Sequence, residues 1–298
     1  MILELLLGPG DPIRALGVGV RWLALVGALG ACGTALFLVF LSEHLTTDEA
    51  RAARRWLVLF WLVAVLASAA LWPFRAIELS GIRDGAARWP LYGEMLRSAF
   101  GDAALIKAAG LVLLLFSRVR TTWGAGIATA GVVLVALGLA LSGHVPGLRQ
   151  RQEAVALMAV HLAAVAFWFG GLFPLRNIAL RRDPRSAAET LLVWSRQAMV
   201  FAVLALATGV WAALAMAGPP LRLHQSGYGM VVIAKSALVA AMLLGAFACR
   251  FRHVRLMQRG DVLAGDAFRR SCGRQILLAL LVLYLSAELG AADLAARN

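Results

Sequence analysis

The sequence predicts an all-α polytopic membrane protein, with eight transmembrane helices built as two parallel four-helix repeats. Three observations carry that reading. The 298-residue chain is 61% hydrophobic and only 15% charged, a balance outside the range of soluble domains of this length. Eight apolar runs reach the ~20 residues that cross a hydrocarbon core of ~30 Å. Segments of the first half recur in the same order in the second half.

The runs fall at 18–42, 56–74, 98–117, 123–143, 153–175, 190–217, 226–249 and 274–290. They are uniformly apolar, so they read as helices and not as the alternating strands of a barrel. Met1 to Leu7 is short, carries Glu4 and lacks a basic leader, which predicts no cleaved signal peptide. The stretch Arg75 to Arg97 is too polar to span. With Trp89-Pro90 and Tyr92 it reads as a loop lying on the membrane surface.

The repeat is clearest in the third and seventh runs. Ser98-Ala-Phe-Gly101 leads to Lys107, and Ser226-Gly-Tyr-Gly229 leads to Lys235, both as Ser-x-x-Gly-x5-Lys. Weaker echoes pair Arg120-Thr-Thr-Trp-Gly124 with Arg269-Arg-Ser-Cys-Gly273, and Ser68-Ala-Ala-Leu-Trp72 with Thr208-Gly-Val-Trp211. A unit with an even number of helices re-enters from the same side, so the copies are parallel, not inverted. The first repeat is 1–145 and the second 146–298, with Pro146-Gly147 as the turn between them.

Arginine sets the orientation. The side holding the loops after runs 1, 3, 5 and 7 carries seventeen arginines and the other side ten, which predicts a cytoplasmic face for the former and periplasmic termini. The net charge of +13 follows from this bias and from attraction to anionic lipid, so membrane lipid is the expected partner and nucleic acid is not. No Ser/His/Asp triad, phosphate cradle or paired-carboxylate site can be assembled, so no enzyme chemistry is expected.

Of five histidines, His144, His161 and His224 fall near the outward side. His161 lies within the fifth run, where an ionisable group is a functional candidate by default. Met158 precedes it by three residues and shares its helix face. A thioether beside an imidazole suits Cu(I) and suits Mg or Ca poorly. Met230 lies near the same rim. Lys107 and Lys235 occupy matching places near the midplane, with Asp102 or Glu288 as available carboxylate partners; they either line a cavity or pin helices. Cys32 is a packing thiol. On the cytoplasmic side Cys249, His253, Met257 and Cys272 either pack or receive a soft metal on exit.

The string His161-Leu-Ala-Ala-Val-Ala-Phe-Trp168-Phe-Gly170-Gly171, with Ser142-Gly-His144, Thr208-Gly209 and the Gly229-x5-Lys235 string, resembles the copper resistance protein D family of bacterial inner-membrane proteins. The resemblance implies copper, moved across or into the inner membrane beside a small periplasmic copper-binding protein, and the His161 and Met158 pair makes Cu(I) the expected form. Within it Trp168, Gly170, Gly171, Gly101 and Gly229 are motif packing positions. Two positions depart from the pattern: Gln275 stands where the family often has a carboxylate, and Cys249 where it has Asn. The alternatives are a b-type haem electron carrier ligated by histidines of neighbouring helices, and a docking partner of the copper protein that does not transport.

Overall fold

A computed structural model describes residues 12–118, 121–142, 151–217 and 227–295. Among them eight helices are long and apolar enough to cross a membrane. They are α1 (Pro12–Leu41), α2 (Thr47–Ser80), α3 (Ala99–Leu114), α4 (Thr122–Leu141), α5 (Arg151–Ile178), α6 (Pro184–Ala217), α7 (Gly227–Ala248) and α8 (Leu263–Ala295). No strand occurs among the described residues. The chain is an all-α, multi-pass membrane protein.

Several helices outrun the apolar stretches that predict them, because polar caps set their ends. At α2 the Glu49 N–H donates to Thr46 Oγ1 (3.3 Å) and the Thr46 N–H to the Glu49 carboxylate (2.9 Å), a reciprocal capping box. Asp183 accepts from the Arg185 and Ser186 N–H groups at the start of α6 (3.0 and 3.3 Å). Asp261 does the same for Leu263 at the start of α8 (2.9 Å). Hydropathy registers the part of a helix in lipid and is blind to these extensions.

The stretch from Arg75 to Arg97 is not a loop, which corrects the sequence expectation. α2 continues to Ser80 and ends on Gly81 at φ +68°, a 3₁₀ segment follows at Arg83–Ala87, and a short helix spans Trp89–Leu96 with Pro90 in its first turn. Aromatic residues anchor it. Tyr92 donates to the Ala86 carbonyl (2.8 Å) and stacks on Trp72, which also meets Phe100 edge-on at 5.3 Å. A polar segment with one aromatic face finds a partner where a wholly polar one would not.

α1 forms the centre. It packs on α2, α4, α5 and α8, and 78% of its most apolar window is buried, against none for α7. α5 packs on α1, α4, α6 and α8. Where α1 and α5 cross, glycine meets glycine. A Cβ on Gly33 would strike the Ala166 carbonyl, and one on Gly170 would stand 2.6 Å from Gly33 Cα and from the Thr34 nitrogen. Thr34 Oγ1 donates to the Gly30 carbonyl (2.8 Å) and lies 3.3 Å from that of Gly170. α3 and α4 approach in the same way through Gly110, Gly131 and Gly138. Small residues permit the backbone contact that substitutes, in lipid, for a hydrophobic driving force.

Indole N–H groups tie helices to carbonyls across the bundle, Trp22 to Leu280 (3.0 Å) and Trp61 to Leu111 (2.9 Å). At the arginine-rich end Arg181 forms a two-pronged pair with Glu49 (2.7 Å on each arm) and also donates to the His44 and Ser186 carbonyls and to Thr190 Oγ1. This staple joins the start of α2 to the loop between α5 and α6.

Two outcomes follow. Gly170→Val should lower the thermal midpoint in detergent sharply, by the 1–3 kcal/mol of an overpacked core or more, because the atoms in its way are backbone. Gly126→Val, with nothing within 4 Å, should leave the midpoint unchanged. Glu49→Ala should cost roughly 3 kcal/mol by stranding Arg181. The same assay should scarcely register Asp48→Ala, whose pair with Arg51 is solvent-exposed.

Candidate functional site

His161 sits some ten residues into α5, roughly 15 Å along its axis, with its ring half-buried against α6. Nδ1 lies 3.0 Å from the Ala205 carbonyl and 3.2 Å from Thr208 Oγ1. A carbonyl only accepts, so Nδ1 carries the hydrogen. Thr208 directs its own hydrogen to the Leu204 carbonyl (2.6 Å) and so presents lone pairs to the ring. In the neutral ring Nε2 is therefore the lone-pair nitrogen, and the hydrogen bond at Nδ1 fixes the ring as it does for metal-ligating histidines. Gly209 makes this seat possible, since a Cβ there would come 3.1 Å from the ring carbon Cε1. Sequence reasoning quoted Thr208-Gly209 without seeing it as the cradle. A threonine followed by glycine within an otherwise apolar span was the available signal.

Met158 lies one turn before His161, half-buried against a cluster of Ala136, Ala140, Ala154, Val155 and Ala159, where Trp211 of α6 also packs. Lys235 of α7 is close enough to act electrostatically on the imidazole. Neither the Lys235 nor the Lys107 side chain makes a hydrogen bond or ion pair with another described residue. Asp102, in the first turn of α3, is exposed, and Glu288 accepts from the Tyr284 hydroxyl (3.0 Å). Met230 is exposed near the start of α7. His144 and His224 lie outside the described residues, as does Ser226 of the repeated string.

The string that begins at His161 serves three partners from one helix. His161 turns to Ala205 and Thr208 of α6, and Gly170 meets α1. Gly171 leaves room for the Trp194 indole, whose Nε1 would stand 2.8 Å from a Cβ there. Trp168 meets Trp194 edge-on at 6.5 Å. Gly101 lets the short helix Trp89–Leu96 turn into α3, as a Cβ there would strike the Leu96 carbonyl, and Gly229 is buried. At the opposite end the two departures from the family pattern touch: Gln275 Nε2 lies 3.7 Å from Cys249 Sγ.

Among the described residues no three His, Cys, Asp or Glu side chains gather as a metal donor set. His44 and His253 belong to the arginine-rich helix ends. Among the described residues, then, no second histidine stands across from His161 to complete axial haem ligation.

Two family models match the chain. Copper resistance protein D-like, N-terminal domain, matches residues 12–147, and Copper resistance protein D matches residues 188–289. No curated protein and no solved structure matches. Gly101 and Lys107 fall in the first segment, Thr208, Gly229 and Lys235 in the second, and His161 in the interval between them. The two segments hold seven of the eight spanning helices, and the chain belongs to the copper resistance protein D family.

Proposed function

We propose that this protein carries copper at the bacterial inner membrane, accepting Cu(I) on the periplasmic side at a site centred on His161, and that it performs no catalysis. Met158 is the second donor, and His144, His224 and Met230 complete the approach to it. A small periplasmic copper-binding protein is the proposed source of the ion. One observation carries the reading. An imidazole deep in a lipid-crossing helix, with Nδ1–H tied to Ala205 and Nε2 bearing the lone pair, is in the state a soft-metal ligand needs. No observation favours haem.

Orientation and repeat are part of the proposal. The arginine-rich end is cytoplasmic and the termini periplasmic, on the arginine count. The halves are parallel copies related by a twofold axis along the membrane normal. In support, exchanging α1–α4 for α5–α8 preserves the main packing pairs: α1–α2 becomes α5–α6, α3–α4 becomes α7–α8, α1–α4 becomes α5–α8, and α4–α5 becomes α8–α1.

Cu(I) titration of the purified protein tests the site. His161→Ala should abolish tight outward loading, Met158→Leu should reduce it while keeping volume, and His253→Ala should leave it intact. Lys235→Met should tighten it several-fold, by the ~1 kcal/mol of a removed like charge at partial burial. Parent-like binding by a folded His161→Ala protein would place the site elsewhere. Orientation is tested separately by labelling. A cysteine at Arg83 should react with an impermeant reagent added from the periplasmic side, whereas one at Arg255 should not.

A further inference from the structure

At the arginine-rich end α7 passes into a single π-helical turn, Cys249–His253, before Val254–Gln258 resumes the α-helix. Such turns recur at functional sites because they re-aim the side chains they carry. This one sets Cys249 against Cys272 of α8. The two thiols line one cavity and stand close enough to act electrostatically on each other; both are free, and both are buried at 6% and 1% exposure. Gln275 approaches Cys249 from the next turn of α8.

The thiols line a cavity of about 30 Å³ shared with Trp194, Ser195 and Arg250, room for one ion or one water. The Trp194 indole N–H, on a side chain 8% exposed, has no hydrogen-bond partner among the described residues. Positive charge stands close by: Arg250 is bonded to the Ser195 hydroxyl, and Arg176 acts electrostatically on Cys272. No third His, Cys, Asp or Glu joins the pair among the described residues. Zinc, which takes four ligands, is therefore poorly served. Cu(I) is soft, prefers thiolate and is stable with two ligands in line.

We infer that Cys249 and Cys272 form a second copper site, a two-coordinate dithiolate that holds one Cu(I) at the arginine-rich end of the bundle. Two Cys–S–H groups and one Cu(I) give a bis-thiolate complex of net charge −1 and release two protons. Arg250 and Arg176 offset that charge, and copper changes no oxidation state. The inference goes beyond the His161 site and does not need it, because the donors and the helices that carry them are different and lie at the other end.

The full-length protein in detergent, loaded anaerobically with Cu(I) alone, provides the test. In the His161→Ala background the ion that remains should show sulfur ligation in its X-ray absorption edge. Adding Cys249→Ser or Cys272→Ser should remove that ion or weaken it roughly a hundredfold or more, past the 10–100-fold lost with an outer partner of a metal ligand. Cys32→Ser should change nothing. Retention of the sulfur-bound ion in both cysteine variants would overturn the inference, as would a His161→Ala protein that holds no copper, or holds it without sulfur. Were the serine variants not to fold, the spectrum of a His161→Ala, Met158→Leu, Met230→Leu protein, which lacks the thioethers of the outward site, decides alone. Loss of all copper in His161→Ala, with cysteine variants like the parent, sinks this site and leaves the His161 reading standing.

Discussion

The contact between Gly33 and Gly170 is the constraint on which the rest of the structure depends. Lipid offers helices no hydrophobic gain for associating, so the two central spans are held by close backbone packing and by the Thr34 hydroxyl shared between carbonyls. Four of the other spanning helices pack directly on that pair, and α3 and α7 join mainly through α4 and α8. α2, α4 and α8 pack on α1, and α4, α6 and α8 pack on α5. The large aromatic side chains of the core, Phe37, Phe167 and Phe169, are fully buried and belong to the same cluster.

This constraint also positions His161. The helix that offers Gly170 to α1 carries His161 more than two turns earlier. Once the crossing fixes α5 in rotation and depth, the imidazole meets the Ala205 carbonyl on α6. The motif therefore mixes two kinds of residue. Gly170 and Gly171 are there for steric reasons, and His161 for its nitrogen, yet all are read off one string.

Composition and run length made the fold class and all eight spans legible, because crossing lipid imposes a length that no packing detail alters. Helix ends were not legible, since Asp183 and Asp261 act through single hydrogen bonds that hydropathy averages away. His161 stood out because an ionisable group is rare in so apolar a span. Its seat on Thr208 and Gly209 did not, as the two helices meet through residues more than forty positions apart. The Arg181–Glu49 staple was hidden for the same reason. In the sequence Gly33 is one of 29 glycines, and only the crossing singles it out.

The π-turn has a consequence for how this protein tolerates change. Each residue advances an α-helix by about 100°, so the extra residue of the wider turn rotates everything after it. Before the turn, the most apolar window of α7 has no buried residue; after it, Val254 and Met257 are each 1% exposed. The turn thus works as a phase shifter, allowing one continuous rod to face lipid along most of its length and protein at its tip. Removing a single residue from Cys249–His253 would return the rod to one phase, and the tip would then turn Val254 and Met257 away from their packing.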